Sequence, residues 1–195
     1  MKSNGNGRGK PRPIPDVLTP DEQARLLAQV DLEAPSGTRN YAILRLMINT
    51  GLRAAEVREL RHRNIDWERG RMKVRGKGGR DRVLWVNAHD LALLKNLPSG
   101  NPSGTLFTSL DGQKPICGRW LREMVPRLAK QAGIDKRIHP HTLRHTFATN
   151  LLRQEKNLFL VMKALGHANL STTQIYLHLE DDELEAAMKR LGGIT

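Results

Sequence analysis

The sequence has little cysteine, few aromatic residues and no long apolar run. Its single cysteine, Cys117, excludes an internal disulfide and is typical of a protein in a reducing cytosol. No apolar run approaches the roughly 18 residues that a membrane-spanning helix requires. Residues 1–15 are polar and basic and lack the apolar segment of a secretory signal. We therefore expect a cytoplasmic protein with no membrane partner.

Acidic residues are scarce as well. Asp and Glu number 20 against 32 Lys and Arg, which leaves a net charge of +12 at pH 7. Such a surplus attracts polyanions through counterion release, so nucleic acid is the expected partner, with a merely solvated basic surface as the alternative. Three Phe and two Tyr make the chain a poor candidate for an RNA module that stacks bases on aromatic rings.

The N-terminal third of the chain divides into a basic arm and the start of a helical domain. Residues 1–17 are rich in Gly, Pro, Lys and Arg and predict a flexible arm or linker. Residues 19–22 (Thr-Pro-Asp-Glu) form the pattern of a capped helix start. Further helices are predicted over residues 38–50, closed by Gly51 in a left-handed conformation, and over residues 54–61.

The periodicity of apolar residues then changes from helical to alternating. Apolar and basic residues alternate over 71–75, a second apolar run covers 83–86, and a glycine-rich stretch separates them. This pattern predicts a β-hairpin with one face on the core and the other carrying cations. Helices are again predicted over residues 88–96, 117–131, 142–153, 157–165, 171–178 and 182–191. The sequence thus predicts an α+β fold, mainly α, in which a small antiparallel sheet packs on a helical core, as one domain over residues 18–195.

Four short islands stand out along this domain. They are residues 50–56 (Thr-Gly-Leu-Arg-Ala-Ala-Glu), the hairpin turn with Lys77, residues 141–144 (His-Thr-Leu-Arg), and residues 165–167 (Leu-Gly-His) with Tyr176 beyond them. One island alone occurs by chance in many proteins. All four, in this order and at these spacings, resemble the catalytic domain of tyrosine recombinases of the Xer and phage-integrase type, from about Leu18 to Leu191.

The resemblance implies a DNA strand-breaking and rejoining enzyme and the residues that act in it. Its catalytic set would be Arg53, Lys77, His141, Arg144, His167 and Tyr176, and no position of the set is missing or substituted. Glu56, one helical turn past the first arginine, would orient that side chain. Arg75 and Arg80, which flank the hairpin lysine, would contact DNA phosphates.

These residue types suit transfer of a phosphoryl group. Attack on a phosphodiester gives a pentacoordinate species with growing charge on its non-bridging oxygens, and guanidinium groups present forked donors to such oxygens. By resemblance Tyr176 is the nucleophile, and His141 would accept its proton while Lys77 protonates the departing 5′-oxygen. His167 would hydrogen-bond the phosphate. The resulting 3′-phosphotyrosine link would store the energy for rejoining, so no cofactor is implied, and no GxxxxGK[ST] loop for ATP occurs.

Each of these residues also has a simpler interpretation. Taken alone, Tyr176 would be a core tyrosine, Lys77 an exposed turn lysine and Arg53 a member of a surface ion pair. His141 and His145 have the i,i+4 spacing of zinc ligands. The chain has no HExxH motif and only one cysteine, so we expect no metal site and expect His145 to pack internally beside the second arginine.

The ends of the chain bear on assembly. Most members of the family carry a helical DNA-clamping domain ahead of this point, whereas here only the basic arm precedes the first helix. The chain is expected to be either a piece that begins at the interdomain linker or a natural minimal recombinase. The resemblance implies that helix 182–191 docks into a neighbouring protomer of a homotetramer on DNA, and the alternative is a helix that closes its own core.

The function implied by the resemblance is site-specific recombination of double-stranded DNA through a Holliday junction. Two other functions are compatible with a basic chain of this kind. A type IB topoisomerase would relax DNA without strand exchange, and the Xer-like terminal helix and compact length count against it. A non-catalytic DNA-binding accessory protein would leave DNA uncut, and the intact catalytic set counts against that.

Overall fold

A computed structural model of the chain describes residues 15–76, 79, 81–98 and 104–166. Within these residues there are seven α-helices and one three-stranded sheet. The helices are α1 (Pro20–Ala28), α2 (Gly37–Thr50), α3 (Ala54–Glu59), α4 (Ala88–Lys95), α5 (Gly118–Gln131), α6 (Pro140–Glu155) and α7 (Leu158–Leu165). The strands are β1 (Ile65–Asp66), β2 (Arg71–Arg75) and β3 (Asp81–Trp85). The predicted fold class, mainly α with a small antiparallel sheet, is confirmed.

The first two helices begin and end as their sequence patterns predict. The Thr19 hydroxyl accepts from the backbone N–H of Glu22, and the Glu22 carboxylate accepts from the backbone N–H of Thr19, so α1 starts with a reciprocal cap. Gly51 ends α2 with a φ of 64°, the left-handed conformation that favours glycine. Only Leu52 and Arg53 separate this residue from α3.

The α2 helix lies at the centre of the helical core. Ile43, Leu44, Leu46 and Met47 are completely buried, and the helix packs against α1, α4 and α6. Burial of each such side chain stabilises the fold by about 1.5–3 kcal/mol. The turn that begins at Gly51 therefore follows a tightly packed helix, and the core fixes the position of the turn.

The sheet has the order β1–β2–β3, and both strand pairs are antiparallel. In β2 the predicted alternation is confirmed, because its apolar residues are buried and its basic residues are exposed. The outer face of the hairpin carries cations, as predicted, through the exposed basic residues of β2, but β3 adds none to it. Val83 and Trp85 are 46% and 67% exposed, whereas Arg82 shares the inner side of the strand with Leu84. An arginine on an inner face requires a buried acidic partner, which the site provides.

Some element boundaries differ from the sequence prediction. The α3 helix ends two residues early, and the two-residue β1 that follows was not predicted because it is too short to show an alternating pattern. The α6 helix begins two residues early, at Pro140, because His139 caps it. The helices predicted over 171–178 and 182–191 lie outside the described residues, as does most of the basic arm. Among the described residues, no helix is both long and apolar enough to cross a bilayer.

Candidate active site

Arg53 lies at the N-cap of α3, in the short turn from α2 to α3. Gly51 is required in this turn for two reasons. Its positive φ is unfavourable for a residue with a Cβ, and a Cβ there would lie 3.0 Å from Cε1 and 3.1 Å from Cγ of Phe147 on α6. The Arg53 side chain is 32% exposed, so it is held by the turn and still accessible from solvent.

The Glu56 carboxylate lies buried between two arginines. Its Oε1 accepts from Nη1 of Arg53 at 3.0 Å and from Nη1 of Arg82 at 2.8 Å. Its Oε2 accepts from the backbone N–H of Arg53 and from Nη2 of Arg82, both at 2.8 Å. Burial raises the pKa of Glu56, but the hydrogen bonds from Arg82 and the Arg53 backbone, together with both positive charges, outweigh burial and hold the pKa below its usual value. An ionised carboxylate thus fixes one edge of the Arg53 guanidinium.

Arg144 is buried on α6, with 5% of the residue exposed, and it binds two backbone carbonyls. Its Nη1 donates to the carbonyl of Gly51 and its Nη2 to the carbonyl of Leu165, both at 2.6 Å. The first contact joins Arg144 to the turn that carries Arg53, and the second joins it to the C-terminal end of α7. These bonds offset the cost of burying a charge and set the plane of the guanidinium.

His141 lies at the protein surface in the first turn of α6, one helical turn before Arg144, with part of its side chain shielded by neighbouring residues. Partial burial lowers the pKa of His141, and the positive charges of His139, Arg144 and Arg53 lower it further. The two arginines and the histidine are therefore close enough to influence one another electrostatically. At neutral pH the His141 imidazole is uncharged and able to accept a proton.

Two further histidines flank His141 on this helix. The Nδ1 atom of His139 accepts from the backbone N–H of Thr142 at 3.3 Å, and the His139 ring lies edge-on to His141 with 6.3 Å between ring centroids. Burial lowers the pKa of His145 to about 4, with smaller contributions from the charges of His141, Arg144 and His139. Neutral His145 therefore sits within electrostatic reach of the buried arginine. In the part of the chain that the structure describes, no three His, Cys, Asp or Glu residues group closely enough to hold a metal ion.

Arg75, exposed at the end of β2, lines an open cleft of about 920 Å³ beside the site. The cleft is bounded by α3, β2 and the first residues of α5, and Glu56 contributes to its wall. Its basic residues are Arg58, Arg61, Arg63, Lys73 and Arg75. Arg58 and Lys73 have acidic partners, at 3.3 Å and 2.9 Å. The wall nevertheless carries more positive than negative charge, which suits contact with a phosphate backbone.

Four residues of the predicted set, Lys77, Arg80, His167 and Tyr176, lie outside the described residues, and their places remain sequence predictions. The backbone that leads to two of them is described. The α7 helix ends in Gly166, whose φ of 65° turns the chain immediately before His167. Of the predicted set, the structure thus brings together Arg53, Glu56, His141 and Arg144, and it places Arg75 on the adjoining cleft.

The predicted set did not include Arg82, which binds Glu56 through both terminal nitrogens. A signal for it exists in the sequence, because the alternation of β3 puts this arginine on the same side as Leu84. The alternation alone does not reveal the partner. Glu56 lies 26 residues earlier in the chain, and only the folded structure brings the two together.

Comparison with known proteins identifies the family. The sequence profile described as the phage integrase family matches residues 16–183. The chain belongs to this family. Among its integrase-family relatives, the tyrosine recombinase XerC of Xanthomonas campestris pv. campestris is 38% identical over 176 residues, which cover 89% of this chain and 54% of the relative. The chain therefore spans about half the length of the curated relatives it matches.

Solved structures of two recombinases have the same fold. The crystal structure of XerA recombinase superposes with a TM-score of 0.76 at 33% identity, covering 92% of this chain and 66% of that one. XerH site-specific recombinase, solved on its palindromic difH substrate as a post-cleavage complex, gives a TM-score of 0.76 at 30% identity, with 90% of this chain and 53% of that one covered. Alignments over 92% and 90% of this chain thus support the integrase-family fold.

Proposed function

We propose that this chain is the catalytic domain of a site-specific recombinase that cleaves one strand of double-stranded DNA with Tyr176 and rejoins it to another strand. The observation that carries the proposal is the convergence of Arg53, Arg144 and His141 where α2, α3 and α6 meet, in a chain of the phage integrase family. In this reaction the two guanidinium groups bind the scissile phosphate. Each is held in place by carbonyl or carboxylate oxygens before any DNA arrives.

Preorganisation of this kind favours the transition state. Attack on the phosphorus increases the charge on its non-bridging oxygens, and donors fixed at that place need no rearrangement as the charge grows. Loss of one such donor typically slows a reaction about 100- to 1000-fold. The network around Arg53 and Arg144 thus supplies much of the rate enhancement.

Two proton transfers accompany the exchange of bonds. As the bond from the Tyr176 oxygen to phosphorus forms, the phenol proton passes to His141, whose uncharged imidazole accepts it. As the bond from phosphorus to the 5′-oxygen breaks, Lys77 donates a proton to that oxygen, and His167 hydrogen-bonds the phosphate. The product is a 3′-phosphotyrosine, and attack by a 5′-hydroxyl of another strand reverses the step without ATP.

Binding and assembly follow from charge and from the family. Arg75 and Arg80 would contact backbone phosphates on either side of the hairpin tip, and the surplus of 12 positive charges would add affinity that is independent of sequence. Strand exchange through a Holliday junction needs four active sites, so we propose a homotetramer on DNA joined through helix 182–191. A DNA substrate and a single thiol fit a place in the cytoplasm.

The test traps the covalent intermediate. The full chain is incubated with a pool of nicked duplexes of random sequence. Cleavage one or two nucleotides from the nick releases a short fragment. Because the short released fragment diffuses away, rejoining fails, and an adduct that survives SDS should accumulate and identify the preferred sequence. The Tyr176→Phe variant should bind the same DNA and form no adduct. An equal amount of adduct from this variant would overturn the nucleophile assignment.

The same material separates the other two functions. A type IB topoisomerase would relax supercoiled plasmid as a monomer and form no junction. An accessory protein would bind DNA with a steep salt dependence and form no adduct at all. Similarity to proteins named as recombinases favours strand exchange over both.

A further inference from the structure

Arg82, which lies on the inner face of the sheet, binds both α3 and α7. The Arg82 side chain is 8% exposed, and its guanidinium makes three hydrogen bonds of 2.8 Å each. Two go to the two carboxylate oxygens of Glu56, and the third goes from Nε to the carbonyl of Ala164 near the end of α7. A forked, bidentate contact of this kind fixes direction as well as distance.

The contact with Glu56 bears directly on Arg53. Each Glu56 oxygen accepts one bond from Arg82 and one from Arg53, so the carboxylate is shared evenly between them. Without Arg82 the carboxylate would have Arg53 as its only ionic partner among these contacts. Glu56 could then rotate toward Arg53 and neutralise the charge that the phosphate needs.

The contact with Ala164 bears on the other end of the site. The carbonyls of the last helical turn have no partner within the helix and need outside donors. Arg82 binds the carbonyl of Ala164, and Arg144 binds that of Leu165, so two arginines from different elements hold consecutive carbonyls of α7. The chain then turns at Gly166, where a Cβ would lie 3.0 Å from Cδ of Arg82, and continues toward His167 and Tyr176.

We propose that Arg82 is a positioning residue that sets Arg53 through Glu56 and at the same time fixes the end of α7, from which the segment carrying His167 and Tyr176 departs. The inference rests on the proposed recombinase function for its catalytic consequence. Its structural half, which is the placement of Arg53 and of α7, stands independently of that function.

The test compares Arg82→Gln with a matched control, Arg71→Gln. Arg71 lies exposed on β2 of the same sheet, binds Asp66 and takes no part in the site, so both variants lose one positive charge and one ion pair. At saturating DNA, Arg82→Gln should form the adduct about 10- to 100-fold more slowly, as expected for a residue that supports a phosphate-binding group. Its DNA affinity and that of the control should agree within about threefold.

A double-variant cycle separates positioning from general stabilisation. In an Arg53→Ala background, Arg82→Gln should cost less in adduct rate than it does in the unaltered protein, because one of the two parts that it positions is absent, and the remaining loss comes from the end of α7. An equal loss in both backgrounds would overturn the placement of Arg53 through Glu56. Arg82→Lys keeps the charge without the fork and should recover part of the rate, and it replaces Arg82→Gln in the comparison if that variant does not fold.

Hydrogen exchange provides a measurement that does not depend on cleavage. In Arg82→Gln, the amide of Arg53 and the amides of residues 162–166 should exchange at least about tenfold faster than in the control variant. Equal exchange in the two variants would refute the placement of Arg53 and of α7 by Arg82. If the unaltered protein forms no adduct, the proposed function fails, and the exchange data alone decide the inference.

Discussion

Replacing Gly51 with alanine should lower both the stability of the fold and the activity of the site. The structure divides the loss of stability into two contributions. Gly51 has a φ of 64°, and an alanine in that conformation costs about 1–2 kcal/mol. The added Cβ would also lie 3.0 Å from Cε1 of Phe147 and closer still to Cδ1, so the ring or α6 must move. Overpacking of this kind costs about 1–3 kcal/mol, and the free energy of unfolding should fall by about 2–5 kcal/mol in all.

Gly112 offers a matched control for the backbone contribution. It has a φ of 71°, and a Cβ there would meet nothing within 4 Å. Urea unfolding of Gly112→Ala should therefore show only the loss of about 1–2 kcal/mol that belongs to a positive φ. If the two alanine variants lost the same free energy, the approach of Phe147 would not be the reason for glycine at position 51.

The same substitution should affect catalysis beyond its effect on stability. The Gly51 carbonyl accepts from Arg144 on α6, and Phe147, which the added Cβ would overlap, belongs to the same helix, so we expect the overlap to push α6 away from the turn that carries Arg53. A shift that separates the two guanidinium groups by about 1 Å should slow adduct formation about 100-fold, even where the variant is fully folded. An unchanged adduct rate in folded Gly51→Ala would refute the claim that this turn sets the spacing of the two arginines.

Two further predictions concern titration. Protonated His141 cannot act as a base, and its pKa lies below the usual 6.5. The second-order rate of adduct formation by free enzyme should therefore stay level down to about pH 6.5 and fall as the pH drops through that pKa. The His141→Gln variant should lack this fall and react about 100- to 10,000-fold more slowly, and a fall that begins above pH 7 in the unaltered protein would contradict the assignment. Burial raises the pKa of Asp90, but hydrogen bonds from Asn49 and Arg45 outweigh burial and lower it. The stabilisation from Asp90 should therefore be complete above its unfolded pKa of about 3.9 and be lost as the pH falls through the folded value. Acid unfolding of Asp90→Asn should show a shallower dependence on pH than the unaltered chain.

Features governed by local rules were predictable from the sequence. A Thr-Pro-Asp-Glu pattern is enough to begin α1, and a glycine after an apolar helical run is enough to end α2. The spacing of His141 and Arg144 puts both on the first turns of one helix, where the structure has them. In these cases the relevant interactions span at most four residues, so propensity and capping decide the outcome.

Features governed by distant contacts were not predictable in the same way. The inward orientation of Arg82 depends on Glu56 and on Ala164, which are 26 and 82 residues away. The hairpin pattern predicted cations on the outer face, which β2 confirms, whereas β3 exposes Val83 and Trp85 there and turns Arg82 inward. A prediction from alternating apolar and polar residues assumes that the buried side chains are apolar. Arg82 does not fit this assumption, because its ion pair and hydrogen bonds offset the cost of burying a charge.

The charges around α7 and α3 give a reason for a buried carboxylate in a site that binds an anion. Arg53, Arg82 and Arg144 carry three positive charges and Glu56 carries one negative charge, so the network has a surplus of two. A phosphodiester carries one negative charge, and in the proposed reaction attack by a tyrosine that has given up its proton raises this to two at the pentacoordinate stage. The positive charge of this network is fixed while the negative charge on the phosphoryl group grows, so its attraction is stronger at the pentacoordinate stage than for the bound substrate, which is the condition for a faster chemical step. Glu56 leaves this positive surplus in place while it fixes the direction of Arg53, so a buried carboxylate orients a donor without cancelling the charge that binds the anion.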